Sequence, residues 1–163
     1  MALAQAGAHA LVIETMVDLE EAKIAVAAAH QTGLPVVACM VFDSGREKDR
    51  TAMGTTIEQA VSGLLAAGAD VIGANCGQGI QGFVPVCRRI RALTERPIWI
   101  KANAGLPELV DSRAVYRTSA ESFADYIPEL IAAGANFVGG CCGSNPLFIR
   151  SIQQKLAPKS CSP

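Results

Sequence analysis

The sequence predicts an α/β fold in which helices cover a parallel sheet. Five apolar, strand-like segments alternate with five helical segments along the 163 residues, and this alternation is typical of parallel sheets. A second observation is an internal repeat. Ala-Gly-Ala at residues 67–69 precedes an apolar strand ending in Asn75 and Cys76, and Ala-Gly-Ala at residues 133–135 precedes one ending in Cys141 and Cys142.

The elements follow one another in a regular order. Besides the two repeat strands, we expect strands at residues 10–13, 34–42 and 97–102, and a last helical turn at residues 2–8. Helices are predicted at residues 18–32, after a capping box at 55–58, at 83–93, after a second capping box at 118–121, and from Asn145 to about Leu156. We therefore predict one domain over residues 1–157 and a disordered tail at 158–163.

Composition excludes several classes of function. The net charge is −1 without a basic run, which argues against a nucleic-acid partner. The apolar runs are too short to span a membrane, and no signal peptide opens the chain. Six cysteines without a secretory signal indicate reduced thiols or a metal, so we expect a cytoplasmic protein.

Polar side chains gather where the predicted strands end. Aligning residues 6–8 with the two Ala-Gly-Ala turns reveals a third repeat unit, in which Glu14 matches Asn75 and Cys141, and Thr15 matches Cys76 and Cys142. The polar residues at strand ends are Glu14, Asp43, Asn75, Cys76, Asn103, Cys141 and Cys142. Ligands of parallel sheets bind at this edge, so these residues predict an active site.

The chemistry of these residues leaves alternatives open. Cys76, Cys141 and Cys142 suit a three-thiolate zinc site with an open fourth position, but the adjacent pair also fits a redox role, and all three fit inert packing. Glu14 suits either the cationic group of a ligand or a salt bridge to a lysine such as Lys101.

Cys39 and Cys87 lie inside a strand and a helix, and we interpret them as core residues. Asp43 and the loop that begins at Asn103 are each either a structural turn or a ligand-facing loop.

Five motifs together resemble a known family. Glu-Thr at 14–15, Phe-Asp-Ser-Gly at 42–45, Gly-Ala-Asn-Cys-Gly at 73–77, Lys-Ala-Asn-Ala-Gly-Leu-Pro at 101–107 and Gly-Gly-Cys-Cys-Gly at 139–143 resemble, in order, the homocysteine S-methyltransferase domain. The similarity is greatest to the homocysteine module of cobalamin-dependent methionine synthases. The resemblance implies a TIM-type (β/α)8 barrel and zinc-dependent methyl transfer to the thiol of homocysteine, giving methionine.

The resemblance also implies roles for individual residues. Cys76, Cys141 and Cys142 would hold Zn²⁺, Glu14 would bind the amino group of homocysteine, and Asn75 would help to shape the pocket. No catalytic residue beyond the metal site is implied. The spelling of the Asn103 loop suggests a methyl-corrinoid donor, such as methylcobalamin on a separate corrinoid protein. Betaine and S-methylmethionine, the donors of other branches of the family, are the alternatives.

The sequence departs from the family in one respect. Full domains carry about three further βα units before the stretch that matches residues 2–14, with an Asp-Gly motif that contributes to the substrate site. We therefore expect a partial barrel of about five βα units, and the start of the chain within a helix favours truncation. Exposed strand edges invite association, so we expect a homo-oligomer or a second, N-terminal fragment that completes the barrel. The alternative is a catalytically inactive α/β module that acts only in zinc or thiol binding or in association.

Overall fold

A computed structural model of the chain describes residues 1–157, so the predicted tail lies outside the described residues. A parallel sheet of five strands forms its centre. In chain order the elements are α1 (Ala2–Gln5), β1 (Leu11–Met16), α2 (Leu19–His30), β2 (Val36–Met40), α3 (Ile57–Ala66), β3 (Val71–Cys76), α4 (Phe83–Arg91), β4 (Ile98–Ala102), β5 (Glu108–Val110), β6 (Arg113–Val115), α5 (Ala120–Ala124), α6 (Ile127–Ala132), β7 (Phe137–Gly140) and α7 (Pro146–Leu156).

The strand order identifies the sheet as part of a barrel. It runs β1-β2-β3-β4-β7, so each strand lies beside the previous strand of the sheet. A doubly wound sheet, the other arrangement that five strands permit, needs a reversal of this order, and the sheet has none. Right-handed crossovers then place the helices on one face, where α2 packs on α3, α3 on α4, and α4 on α6. The predicted partial (β/α)8 barrel is confirmed.

The core lies between the sheet and the helices. Alternate strand residues point into it, among them Met40, Ile72 and Ile100, and meet helix residues such as Leu64 and Phe123. The opposite face, which we call the inner face, carries Val12, Glu14, Cys39, Gly73, Asn75, Trp99, Lys101 and Phe137, none of which belongs to that core. The inner face corresponds to the interior of a barrel.

The three repeat units share one helix-terminating turn. Gly7, Gly68 and Gly134 all have a positive φ, of 91°, 97° and 106°, which costs glycine little. In each unit the glycine N–H bonds to the carbonyl three residues back, and the next N–H to the carbonyl five residues back. This is the Schellman pattern. It turns each helix into its strand in the same way.

The structure corrects several predicted boundaries. The first helical cap lies one residue later than predicted in both cases. Thr56, not Thr55, caps α3 in a capping box with Gln59, and Ser119, not Thr118, caps α5. Thr55 cannot be the cap because its backbone is bonded into the preceding turn with Thr51.

Two predicted helices also differ in extent. The helix predicted after the second box is divided into α5 and α6, with a proline in the first turn of α6. The helix predicted at 83–93 ends at Arg91.

The antiparallel hairpin of β5 and β6 was not predicted. Within residues 1–157, no helix combines the length and apolar character needed to cross a membrane.

Candidate active site

Three sulfur atoms meet at the carboxyl end of the sheet. The Sγ atoms of Cys76 and Cys142 are 3.8 Å apart and those of Cys141 and Cys142 are 4.0 Å apart, and all three lie within 4.8 Å of one another. We call these three residues the cysteine cluster. Tetrahedral Zn–S bonds of about 2.3 Å separate two sulfurs by roughly 3.8 Å. The spacing of the cluster therefore fits a zinc ion.

The backbone of one intervening loop holds the cluster together. Cys76 ends β3 and Cys141 follows β7, with β4 between them. The N–H groups of Asn103 and Ala104, just after β4, donate to the carbonyls of Cys76 at 3.3 Å and Cys142 at 2.9 Å. Cys141 N–H in turn donates to Ala102 at 2.8 Å. Residues from three adjacent strand ends are thus fixed relative to one another before any ligand binds.

The electrostatics of the cluster favour a cation. Burial, followed by the charge of the neighbouring Cys141 and Cys142, raises the pKa of the Cys76 thiol to about 12. Thiolates bind metals and thiols do not, and three thiolates this close repel one another. A divalent cation at the centre would remove that penalty and displace the protons.

A buried amide connects the cluster to the first strand of the sheet. Asn75 is fully buried; its Oδ1 accepts from the Thr15 N–H at 2.7 Å, and its Nδ2 donates to Thr15 Oγ1 at 2.7 Å. The same Nδ2 lies 3.7 Å from the Cys141 Sγ. Asn75 therefore orients one of the three sulfurs.

Thr15 is a site residue that the sequence reasoning did not select. It has a φ of 62° and its repeat partner Cys76 has one of 65°, which is rare for residues other than glycine. Thr15 also lies where the register of β1 and β2 is irregular, and such irregularities redirect side chains. The repeat alignment that matches Thr15 with Cys76 and Cys142 was the available signal.

Glu14 forms an ion pair with Lys101, which is one of the two alternatives left open for it. The Lys101 ammonium lies 4.8 Å from the centre of the Trp99 ring. The pair crosses the inner face from β1 to β4, which shows how strongly the sheet curves. Lys101 pairs in the sheet with Asn75, the residue before Cys76. A ligand-binding role for Glu14 stays a prediction.

The other strand-end residues form turns. Asp43 accepts from the Ser44 hydroxyl at 2.8 Å in a turn closed by a bridge between Ser44 and Arg50. Asn103 donates to the Gly105 carbonyl at 2.7 Å, while its buried Oδ1 has no partner within residues 1–157. Both loops contain these local hydrogen bonds, and a ligand-facing role for either of them stays a prediction.

Cys39 and Cys87 are both buried, as predicted. Cys87 belongs to the core between the sheet and the helices, whereas Cys39 lies on the inner face. Burial raises the pKa of Cys39 to about 12 and that of Cys87 to about 11. Both thiols are therefore protonated at neutral pH, and neither belongs to the group of three sulfur atoms that could hold a metal ion.

Comparisons with known proteins agree with this geometry. A model of the homocysteine S-methyltransferase family matches residues 1–156. The methionine synthases of Mycobacterium tuberculosis (strain ATCC 25618 / H37Rv) and Mycobacterium leprae (strain TN) are each 30% identical to the chain over 158 residues, covering 93% of it. The chain spans 13% of the length of these relatives.

The fold is also that of a solved methyltransferase. The homocysteine methyltransferase MmuM from Escherichia coli superimposes in its metallated form with a TM-score of 0.74 at 24% identity, over 94% of this chain and 47% of that one. Its oxidized form gives 0.75 at 23% identity, over 94% and 48%. At these identities the match establishes the fold alone.

Proposed function

The chain belongs to the homocysteine S-methyltransferase family, and we propose that it binds zinc and transfers a methyl group to the thiol of homocysteine, giving methionine. The observation that carries the proposal is the triangle of sulfur atoms in the cysteine cluster, with a spacing that fits zinc. A vicinal redox pair would leave the third thiol, Cys76, unexplained, whereas a metal uses all three.

The residues of the site have separate tasks in this proposal. Zinc, when bound, supplies a Lewis acid that makes a thiol acidic enough to lose its proton near neutral pH. The cysteine cluster holds that ion, and Asn75 orients the Cys141 sulfur. Glu14 accepts hydrogen bonds from the substrate ammonium. The thiol proton is released to solvent. The substrate sulfur then forms a bond to the methyl carbon while the bond between that carbon and its donor breaks, and the electron pair leaves with the donor.

We further propose that the donor is a methyl-corrinoid, such as methylcobalamin, carried by a separate corrinoid protein. The support is the 30% identity to methionine synthases and the Lys-Ala-Asn-Ala-Gly-Leu-Pro loop that resembles theirs. The proposed location is the cytoplasm, where thiols stay reduced.

The open sheet supports association. In the described residues β1 and β7 are the outer strands, and two apolar side chains of the inner face are exposed, Val12 at 42% and Phe137 at 49%. Such edges and surfaces favour pairing with another chain. We propose that they are covered by an N-terminal barrel segment or by a second copy of this chain.

Metal content and ligand-induced stability test the proposed function. The purified chain should hold close to one zinc per chain, and homocysteine should raise the melting temperature of the zinc-loaded chain only. Cys142→Ala should abolish both effects. Cys87→Ala removes a cysteine outside the cluster and should keep the zinc content. A chain without zinc, or with zinc that Cys142→Ala leaves in place, would contradict the proposal.

An inactive binding module is the second candidate, and the openness of the inner face favours it. It predicts that zinc and homocysteine bind but that no methionine forms when methylcobalamin is supplied. Methionine formation under these conditions would exclude it.

A further inference from the structure

Lys101 carries a buried positive charge that the proposed transfer reaction does not use. Its side chain is 10% exposed, whereas that of its partner Glu14 is 51% exposed. Removing an ammonium from water is costly unless it is paired and hydrogen-bonded. A lysine has three N–H donors, and within residues 1–157 its ammonium has one hydrogen-bond acceptor, Glu14. The remaining donors are available to a ligand.

The position of Lys101 links it to the cysteine cluster. In the register of the sheet, Lys101 pairs with Asn75 on one side and Gly139 on the other. Neighbouring strands are about 4.8 Å apart, so the backbone of Lys101 lies one strand spacing from that of Asn75. The side-chain amide of Asn75 is the group that contacts the Cys141 sulfur. Gly139 has no side chain to fill the space on the other side. A small molecule whose sulfur lies at the cluster would extend over this part of the inner face.

Glu14 and Lys101 form a pair of opposite charges that matches an α-amino acid. Homocysteine has its thiol two methylene groups away from an α-carbon that bears an ammonium and a carboxylate. Glu14 can accept from the ammonium and Lys101 can donate to the carboxylate, so that two favourable contacts replace one ion pair. The ring of Trp99 supports the lysine at 4.8 Å and limits its movement.

We propose that Lys101 is a specificity-determining residue that binds the α-carboxylate of homocysteine, so that Glu14 and Lys101 together recognise the zwitterion. This inference rests on the proposed function, because it requires homocysteine to bind with its sulfur at the cysteine cluster. It adds a carboxylate contact to the ammonium contact expected of Glu14.

Ligands that lack one charge test the inference. Titration calorimetry on the zinc-loaded chain would compare homocysteine, 3-aminopropane-1-thiol, which lacks the carboxylate, and 4-sulfanylbutanoic acid, which lacks the ammonium. Charge-assisted hydrogen bonds change Kd by about 10- to 100-fold. Lys101→Met keeps an unbranched four-atom stem and removes the ammonium. It should weaken the binding of homocysteine by that factor and leave the Kd of 3-aminopropane-1-thiol within about twofold.

Glu14→Gln provides the matched control. It should weaken the binding of homocysteine and of 3-aminopropane-1-thiol but leave the Kd of 4-sulfanylbutanoic acid nearly unchanged. Lys101→Arg should restore most of the carboxylate preference. The inference is wrong if Lys101→Met weakens the binding of all three ligands by the same factor. It is also wrong if the parent chain binds homocysteine and 3-aminopropane-1-thiol equally well. Failure of the zinc-loaded parent to bind any of the three thiols would instead overturn the proposed function, and this inference with it.

Discussion

Replacing Asn75 with alanine should both destabilise the chain and weaken zinc binding. The side chain makes two hydrogen bonds of 2.7 Å to Thr15. Each is worth about 1 kcal/mol, and Thr15 is exposed, so that water can replace the lost acceptor of its N–H group. We therefore expect the free energy of unfolding to fall by about 2 kcal/mol. The contact with the Cys141 sulfur at 3.7 Å disappears as well, and the loss of such supporting contacts weakens metal affinity by about 10- to 100-fold.

Asn136 offers a matched control at the opposite end of the sheet. Its Oδ1 accepts from the Ile98 N–H at 2.9 Å, so Asn136→Ala also removes a bond between a side chain and a strand. It should cost about 1 kcal/mol and leave the zinc affinity unchanged. Urea unfolding of the metal-free chains and competition with a chromophoric chelator measure the two effects. Equal zinc affinities for the Asn75 and Asn136 variants would refute the role of Asn75.

Three further predictions concern the protein outside the substrate pocket. Alkylation followed by mass spectrometry at pH 8 should leave Cys39 and Cys87 unmodified in the folded chain, because burial holds their pKa values at about 12 and 11. Zinc should protect the cysteine cluster from the same reagent. Modification of either buried thiol without unfolding would contradict their burial. Arg89→Gln should cost at most about 1 kcal/mol at pH 7, because Arg89 lowers the pKa of Glu58 to about 2. That contribution is present above the ordinary carboxyl pKa and is lost as the pH falls toward 2, so denaturation curves of parent and variant should converge there, and a constant difference would exclude the ion pair as its source. Gly73→Ala should destabilise the chain by about 1–3 kcal/mol, since a Cβ would lie 2.5 Å from Cys39 Sγ and against the Trp99 carbonyl; an unchanged unfolding midpoint would show that the strands can separate there.

The repeat in the sequence predicted the fold well because it reflects a physical requirement. Each Ala-Gly-Ala turn ends a helix with a glycine of positive φ, and each is followed by an apolar strand, so the βα periodicity was visible without the structure. The strand order was not visible, because helix and strand patterns alone do not distinguish a barrel from a doubly wound sheet.

The boundaries of the elements depended on contacts that spacing does not encode. Thr55 and Thr56 are equivalent as caps by residue type, and the bonds of Thr55 to Thr51 decide between them. The β5–β6 hairpin has exposed side chains, so its sequence carries no alternating apolar pattern.

The sequence also predicted which residues approach one another at the site, but not how they contact. Cysteines at the ends of two repeat strands converge because parallel strands end at one edge. The pairing of Glu14 with Lys101 depends on the curvature of the sheet, and the bridge from Asn75 to Thr15 depends on a backbone irregularity in β1. Neither can be derived from residue spacing.

X-ray absorption spectroscopy of the zinc-loaded chain tests the central claim most directly. Without substrate, the zinc should have three sulfur neighbours at about 2.3 Å, from the cysteine cluster. With homocysteine, the number of sulfur neighbours should rise to four as the substrate thiol fills the open position. A sulfur count that stays at three with saturating homocysteine would contradict direct binding of the substrate thiol to the metal.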